Sequence, residues 1–451
     1  MSNNNDTIAA VATASGRGGI GIIRVSGPKT QKIIEKLLGS QIPARQACFR
    51  LFKEHDDTTI DSGLALYFKS PASYTGEDTL ELQGHGGPVV LDMLLKRVLA
   101  LGARLAEPGE FTQRAFLNNK LDLAQAEAVA DIIDAGTSAA AVSAQRSLAG
   151  AFSQHIDDLQ RQLTHLRLYV ESAIDFSDED IDFLAGDELK KIIADLQKAF
   201  KKLSETAKQG SLLRDGMTVV LAGKPNAGKS SLLNALAQRD TAIVTEVAGT
   251  TRDILTEKIQ IDGMPVHIID TAGLRETSDI IEQEGVKRAK QAILTADQVL
   301  LVVDDQESQT EDYLSLLQDV PTTIPVTVIF NKADMTGAEV GEASSNDGRT
   351  VIRLSAKYGD GLNILTKHLK TLMGFNPEEK NIFLARRRHL DALARSNKFL
   401  NEGIEQLLSY QAGELFAEDL RLAQSALSEI TGKMTPDDLL GEIFSSFCIG
   451  K

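Results

Sequence analysis

Apolar and polar positions follow three different rhythms along the chain. Up to about residue 118, short β-like runs such as Ile20-Gly21-Ile22-Ile23-Arg24-Val25 and Gly63 to Phe68 alternate with glycine turns. Pro88 to Ala100 reads as an amphipathic helix after Gly86-Gly87. From about 119 to 212 the period becomes helical. Ile156, Leu159, Leu163, Leu166 and Val170 share one face, as do Leu189, Ile192, Leu196, Phe200 and Leu203, and the acidic stretch Asp175 to Asp182 reads as an exposed connection between them. From about 215 to 374 β-branched runs (Val219 to Leu221, Val266 to Ile269, Val299 to Val303, Val326 to Phe330) alternate with helical segments. This predicts a mostly parallel sheet buried on both faces, with one antiparallel pair across a hairpin turn at Asp262-Gly263. After about 375 the helical period returns, with Leu393, Leu400, Ile404 and Leu407 on one face and a helix start at Thr435-Pro436-Asp437-Asp438.

The tail is short for a core of its own, so it is expected to pack on the helices of 119–212, making the α/β part an insertion in a helical domain. The expected fold is multidomain, α+β and α/β. Residues 1–118 form an α+β domain, 119–214 the first part of a helical domain, 215–374 the inserted α/β domain and 375–451 the second helical part. A length of 451 residues accommodates this.

Composition narrows the class. With 48 Lys+Arg against 63 Asp+Glu the formal charge is −15, unlike the usual nucleic-acid binder, although a local basic patch or a basic partner could still supply phosphate contacts. Apolar runs fall short of the roughly 18–20 residues a membrane span needs, and Met-Ser-Asn-Asn-Asn-Asp lacks signal-peptide character, so a cytoplasmic protein without membrane contact is expected. Cys48 and Cys448 are too few for a disulfide framework or a zinc site.

The chemistry begins at Gly223-Lys224-Pro225-Asn226-Ala227-Gly228-Lys229-Ser230, which fits G-x-x-x-x-G-K-[ST] between a strand and an apolar helix opening near Ser231. Backbone N–H groups there can cradle phosphate oxygens, Lys229 supplies charge, and the Ser230 hydroxyl can reach Mg²⁺. Asp270-Thr271-Ala272-Gly273 follows a strand; Asp270 can hold Mg²⁺ through water and Gly273 can meet a γ-phosphate. In Asn331-Lys332-Ala333-Asp334 the Asp334 carboxylate matches the two N–H donors of guanine, selecting GTP over ATP, and Ser355-Ala356-Lys357 completes the base pocket. Gly249 to Asp253 is placed as a mobile switch, with Thr251 a second Mg²⁺ hydroxyl. Together these make a Ras-like P-loop GTPase domain. Leu274 stands where small signalling GTPases carry a water-orienting Gln. Glu276, Asp279, Glu282 and Glu284 follow it, and the Asn226 amide could ligate a monovalent cation near the phosphates.

Over essentially its full length the chain resembles the MnmE (TrmE) family of tRNA-modification GTPases. The resemblance rests on Gly16 to Gly27, Leu80 to Gly87, Gly249 to Asp253, Asp270 to Arg275 and Phe447-Cys448-Ile449-Gly450-Lys451. It implies a tetrahydrofolate-binding N-terminal domain that also forms a homodimer, and GTP hydrolysis stimulated by K⁺ and by G-domain dimerisation. K⁺ ligands carry over to Asn226, Thr245, Val247 and Thr250, Mg²⁺ ligands to Ser230 and Thr251, and the water-orienting carboxylate to Glu282. A reduced folate (formyl- or methylene-tetrahydrofolate) carries over to Arg24, Glu81, Lys120 and Lys451, with Cys448 a functional thiol beside it. The family works in a heterotetramer with an FAD-dependent MnmG (GidA) type protein on C5 of the wobble uridine of certain tRNAs. The competing expectations are a ribosome-assembly GTPase switch and, more weakly, a folate enzyme regulated by its GTPase domain.

Overall fold

The computed structural model describes residues 6–175, 186–239, 256–261, 263–270, 294, 296–308, 321, 324–345, 347–374, 382–433, 437–445 and 447–450. They divide into two compact units, one of residues 1–130, 147–197 and 392–451, the other of 131–146 and 198–391.

The first unit opens with β1 (Ile8–Val11), β2 (Gly18–Ser26), α1 (Thr30–Leu38), β3 (Cys48–Lys53), β4 (Thr59–Phe68), β5 (Thr79–Gly86), α2 (Pro88–Ala100), β6 (Arg104–Leu105) and α3 (Glu110–Leu117). Its sheet runs β3-β4-β5-β2-β1-β6, antiparallel except for the β1–β6 pair. Alternation in these strands sends Ile23, Val25, Leu80, Leu82, Ala65 and Tyr67 into a core with Ile33, Ile34 and Leu37 of α1 and Leu91, Leu94 and Val98 of α2. Ile8, Ala10 and Ala106 gather instead with Phe111 of α3. The helix expected at Pro88–Ala100 is α2, with proline at its first position after Gly87.

Helices follow: α4 (Leu123–Asp134), α5 (Ser138–Leu148), α6 (Ala151–Asp175) and α7 (Asp187–Asp215). The buried face of α6 is the one expected. In α7 the inward residue is Ile193, not Ile192: Leu189, Ile193, Leu196, Phe200 and Leu203 are buried at spacings of four and three, which leaves Ile192 about 100° round the helix and half-exposed.

The second unit holds β7 (Met217–Ala222), α8 (Lys229–Arg239), β8 (Thr256–Ile261), β9 (Met264–Asp270), β10 (Gln298–Asp304), β11 (Val326–Asn331), the short α9 (Ala333–Thr336), β12 (Gly341–Ser344), β13 (Thr350–Arg353) and α10 (Leu362–Met373). The strand order is β12-β13-β11-β10-β7-β9-β8, parallel through the middle and antiparallel at both edges. The β8–β9 hairpin is the expected one; Gly263 has φ +87°, and Asp262 lies outside the described residues. The β12–β13 pair is an antiparallel edge not expected from the apolar pattern, because Gly341-Glu342-Ala343-Ser344 is too polar to read as a strand. Both faces of the central strands are buried: Val219, Leu221, Leu300 and Val302 on one, Leu301, Val303, Val328 and Phe330 on the other.

The chain ends in α11 (Arg387–Tyr410), α12 (Gly413–Thr431) and α13 (Asp437–Ser445). As expected, the tail packs on the earlier helices. The Gln160 amide donates to the Gln424 carbonyl at 2.7 Å, and the Gln424 amide to the Thr164 hydroxyl at 2.7 Å, joining α6 to α12. Leu393, Leu400 and Leu407 of α11 are buried and Ile404 is half-buried. Ile443, Phe444 and Phe447 bury against Leu123 and Ala126 of α4. Thr435 and Pro436 lie outside the described residues, as do 176–182 of the acidic stretch. Among the described residues no helix is long and apolar enough to cross a membrane.

Candidate functional site

The C-terminal ends of the parallel strands face a common edge, where open α/β sheets bind ligands. There β7 runs into the glycine-rich loop and α8 begins at Lys229. Gly223 has φ +142°, and a Cβ on it would lie 2.1 Å from the Val302 carbonyl oxygen, so only glycine lets the loop leave β7 across β10. Asn226 takes the left-handed conformation with φ +64°. Lys229 is buried and its ammonium donates to the carbonyls of Gly223 and Lys224 at 2.9 Å each, which curls the loop around its own cation. Ser230 and Ser231, in the first turn of α8, and Asn226 are exposed, whereas Ala227 is buried.

Asn331 ends β11 and joins this loop to the base-recognition segments. Its buried amide donates to the Ala227 carbonyl at 3.0 Å and accepts from the Ala356 N–H at 3.0 Å. A Cβ on Gly228 would lie 2.2 Å from the Asn331 amide nitrogen, so the contact requires glycine there. The Ser355 hydroxyl donates to the Asp334 carboxylate at 2.6 Å, so Asp334, Ser355 and Ala356 come together as the sequence predicts. Lys332 has φ +67°, and its ammonium meets Asp304 at 2.7 Å. Burial works against ionisation of Asp304. The hydrogen bond from Lys332, with the Gln306 N–H and the lysine charge, outweighs it and holds the carboxyl below its ordinary value. A cleft lined by Lys224, Pro225, Asn226, Ala227, Asp304, Glu307 and Lys332 lies between these segments.

Asp270 closes β9 opposite Leu221 of β7, which puts its backbone at the edge where the phosphate loop starts. Thr245, Val247, Thr250, Thr251, Gly273, Leu274, Glu276, Asp279, Glu282, Glu284 and Lys451 lie outside the described residues.

The first unit gathers part of the other predicted set. Arg24 and Glu81 are cross-strand neighbours on β2 and β5, and the guanidinium meets the carboxylate at 2.9 Å. The same guanidinium donates to the Gly450 carbonyl at 3.4 Å and lies 5.7 Å from the ring centres of Tyr74 and Phe111. The end of the chain is therefore laid against this face: Ile449 bridges to Pro108, the Gly109 N–H donates to the Cys448 carbonyl at 3.3 Å, and Cys448 is exposed. The Lys120 ammonium donates to the Pro71 carbonyl at 3.0 Å.

Two groupings escape the sequence reading. One is the turn Asp305–Glu307 after β10, of which Glu307 borders the cleft; its place after a parallel strand is the signal that could have found it. The other is an ionic network in the first unit, built on the buried Arg114 and Glu110. Arg114 donates to Glu110 at 2.9 Å, to Asp6 at 2.6 Å and to Glu77 at 3.1 Å, while Arg104 bonds Glu110 and Asp6. Burial opposes ionisation of Glu110 and Asp6, but hydrogen bonds from Arg104 and Arg114 overcome it and both carboxyls are held low.

Among known families, the model described as "MnmE helical domain" matches residues 123–448, and the one described as "GTP-binding protein TrmE N-terminus" matches 7–120. The first span contains the entire seven-stranded sheet, so the α/β GTPase domain is an insertion in the helical domain. Among solved structures, a single-residue variant of Aquifex aeolicus Era bound to GDP and aluminium fluoride is 27% identical over 41% of this chain and 67% of its own, with a TM-score of 0.27. The translation elongation factor SelB of Methanococcus maripaludis is 18% identical over 35% of this chain and 34% of its own, at 0.24. The FeoB G-domain of Methanococcus jannaschii is 22% identical over 35% of this chain and 98% of its own, at 0.26.

Proposed function

The chain belongs to the MnmE family of tRNA-modification GTPases, and from that premise we propose that it is a K⁺-stimulated GTPase that modifies C5 of the wobble uridine in certain tRNAs. It does so in the cytoplasm, as a homodimer joined by an FAD-dependent protein of the MnmG (GidA) type, with a reduced folate as one-carbon donor. GTP hydrolysis itself follows from family membership. The four-part division at 118/119, 214/215 and 374/375 belongs to the same proposal.

The observation that carries the GTPase reading is the double hydrogen bond of Asn331, which joins the phosphate loop to the guanine pocket. On this reading Lys229 and the loop N–H groups bind the phosphates, and Asp334, Ser355 and Ala356 bind guanine. The donors fit hard cations: the exposed Ser230 hydroxyl, with Thr251 and Asp270, for Mg²⁺, and the exposed Asn226 amide, with Thr245, Val247 and Thr250, for K⁺. Mg²⁺ and K⁺ supply positive charge where negative charge builds on the phosphates. Glu282 orients the attacking water, and Gly273 meets the γ-phosphate. In the first unit the half-buried pair Arg24 and Glu81 fits a ligand that carries both donors and a carboxylate, as a folate does. Lys120 and Lys451 add cations, and Cys448 stands exposed on the same tail.

The test is mass spectrometry of tRNA nucleosides from cells lacking the protein. The C5-modified wobble uridine should vanish and return with the wild-type chain but not with Asp270→Ala. An unchanged nucleoside profile would make a ribosome-assembly switch the better reading. Replacing K⁺ by Na⁺ should sharply lower kcat for GTP; equal rates would remove the K⁺ role.

A further inference from the structure

Three carboxylates at the end of β10 each meet a different segment of the nucleotide site. Asp304 lies 2.7 Å from the Lys332 ammonium, in the base-recognition loop. Asp305 lies 2.8 Å from Arg353, at the end of β13 before Ser355, and also accepts from the Thr336 hydroxyl. Glu307 lies 2.8 Å from Lys224, in the phosphate loop.

Their weights differ. The Glu307–Lys224 pair is nearly half exposed on both sides, and such pairs contribute little. Asp305 is buried, and removing its charge would damage the fold itself. Asp304 is partly shielded and divides its two oxygens. Oδ1 accepts from the Gln306 N–H at 3.1 Å and caps the turn, while Oδ2 takes the lysine ammonium. Lys332 sits at a left-handed backbone position that few residues with a Cβ adopt, and its stem lines the cleft. Its Cε lies 4.0 Å from where a Cβ on Gly228 would stand. A lysine stem has many rotamers to lose, and an anchor at its tip removes that cost before a nucleotide arrives.

We propose that Asp304 is a positioning residue for guanine-nucleotide binding: it anchors the Lys332 ammonium so that the lysine stem lies preordered in the cleft beside the phosphate loop. This rests on the reading of the cleft as a GTP site. The anchor acts away from the γ-phosphate, so it favours GDP and GTP alike and leaves the chemical step alone.

Asp304→Asn keeps an oxygen for the Gln306 N–H and removes the charge, and asparagine caps as well as aspartate. Binding of fluorescent methylanthraniloyl-GDP and of the corresponding non-hydrolysable GTP analogue to the full chain should weaken about five- to tenfold for both, mostly through faster dissociation, with kcat at saturating GTP unchanged. In a Lys332→Met background the same substitution should have no further effect. Three results would overturn the proposal: affinities within twofold of wild type, an equal loss in the Lys332→Met background, or a fall in kcat without a fall in affinity. A wild-type chain that fails to bind the GDP probe would instead overturn the GTP reading, and this proposal with it.

Discussion

Asn331→Asp replaces one buried amide by a group of the same shape and tests the joint between the two nucleotide loops. The native side chain is 2% exposed, donates to the Ala227 carbonyl at 3.0 Å and accepts from the Ala356 N–H at 3.0 Å. The introduced carboxyl can still accept from Ala356, but its second oxygen faces the Ala227 carbonyl, lone pair to lone pair. Leaving that buried acceptor unmatched costs about 1–3 kcal/mol, and burying a carboxylate adds to it. A total of about 2–4 kcal/mol is expected, which for a unit of this size lowers the unfolding midpoint by roughly 5–15 °C. A protonated carboxyl would restore the donor, so its pKa in the folded chain is raised. The stabilisation due to that proton is complete below the unfolded carboxyl pKa and is lost as pH rises through the raised folded value. The defect should therefore deepen from about pH 5 to pH 8, whereas Asn331→Ala, which lacks both bonds, should show a flat deficit. The chain has no tryptophan, so calorimetry or far-ultraviolet circular dichroism is the assay. A midpoint for Asn331→Asp within 1 °C of wild type at pH 8, or a pH-independent loss equal to that of Asn331→Ala, would refute the argument.

Other outcomes follow from the same contacts. Asp6 and Glu110 have carboxyls held below their ordinary values of 3.8 and 4.5, so their contribution is intact above those values and is lost as pH falls through the lower folded ones. Acid titration of the wild type should show a loss of stability below about pH 4 that is shallower in Glu110→Gln, and an identical acid slope in that variant would contradict it. Gly210→Ala should destabilise although alanine is the better helix former by about 1 kcal/mol, because a Cβ there would stand 1.9 Å from the Phe383 carbonyl oxygen. A more stable variant would disprove that close approach. Glu282→Ala should abolish most GTP hydrolysis while GTP still binds in a filter or fluorescence assay; hydrolysis at the wild-type rate would end the assignment of the water-orienting role.

The sequence by itself determined the elements with a clear apolar period and the GTPase motifs, because both are short-range. Glycine, lysine and serine at fixed offsets make a phosphate loop wherever a strand precedes and a helix follows, and both flanks are present. Apolar period separated the helices from the buried strands and placed the α/β part between two helical stretches. That period could not separate Ile192 from Ile193, since both fit a helix and only the neighbouring elements choose the buried edge. It also missed β12, a polar edge strand stabilised by its partner and not by burial.

The tertiary structure decided how groups far apart in the sequence come into contact. Arg24 and Glu81 are 57 residues apart and meet because sheet register places them opposite each other. Arg24 and Gly450 are 426 apart and meet because Phe444 and Phe447 bury the end of the chain. Asp304 reaches Lys332 because β10 and β11 lie side by side and end together, at Asp304 and Asn331. Each such contact depends on strand register and on which apolar face is covered. Those are properties of the whole packed chain, and no local spacing of residues encodes them.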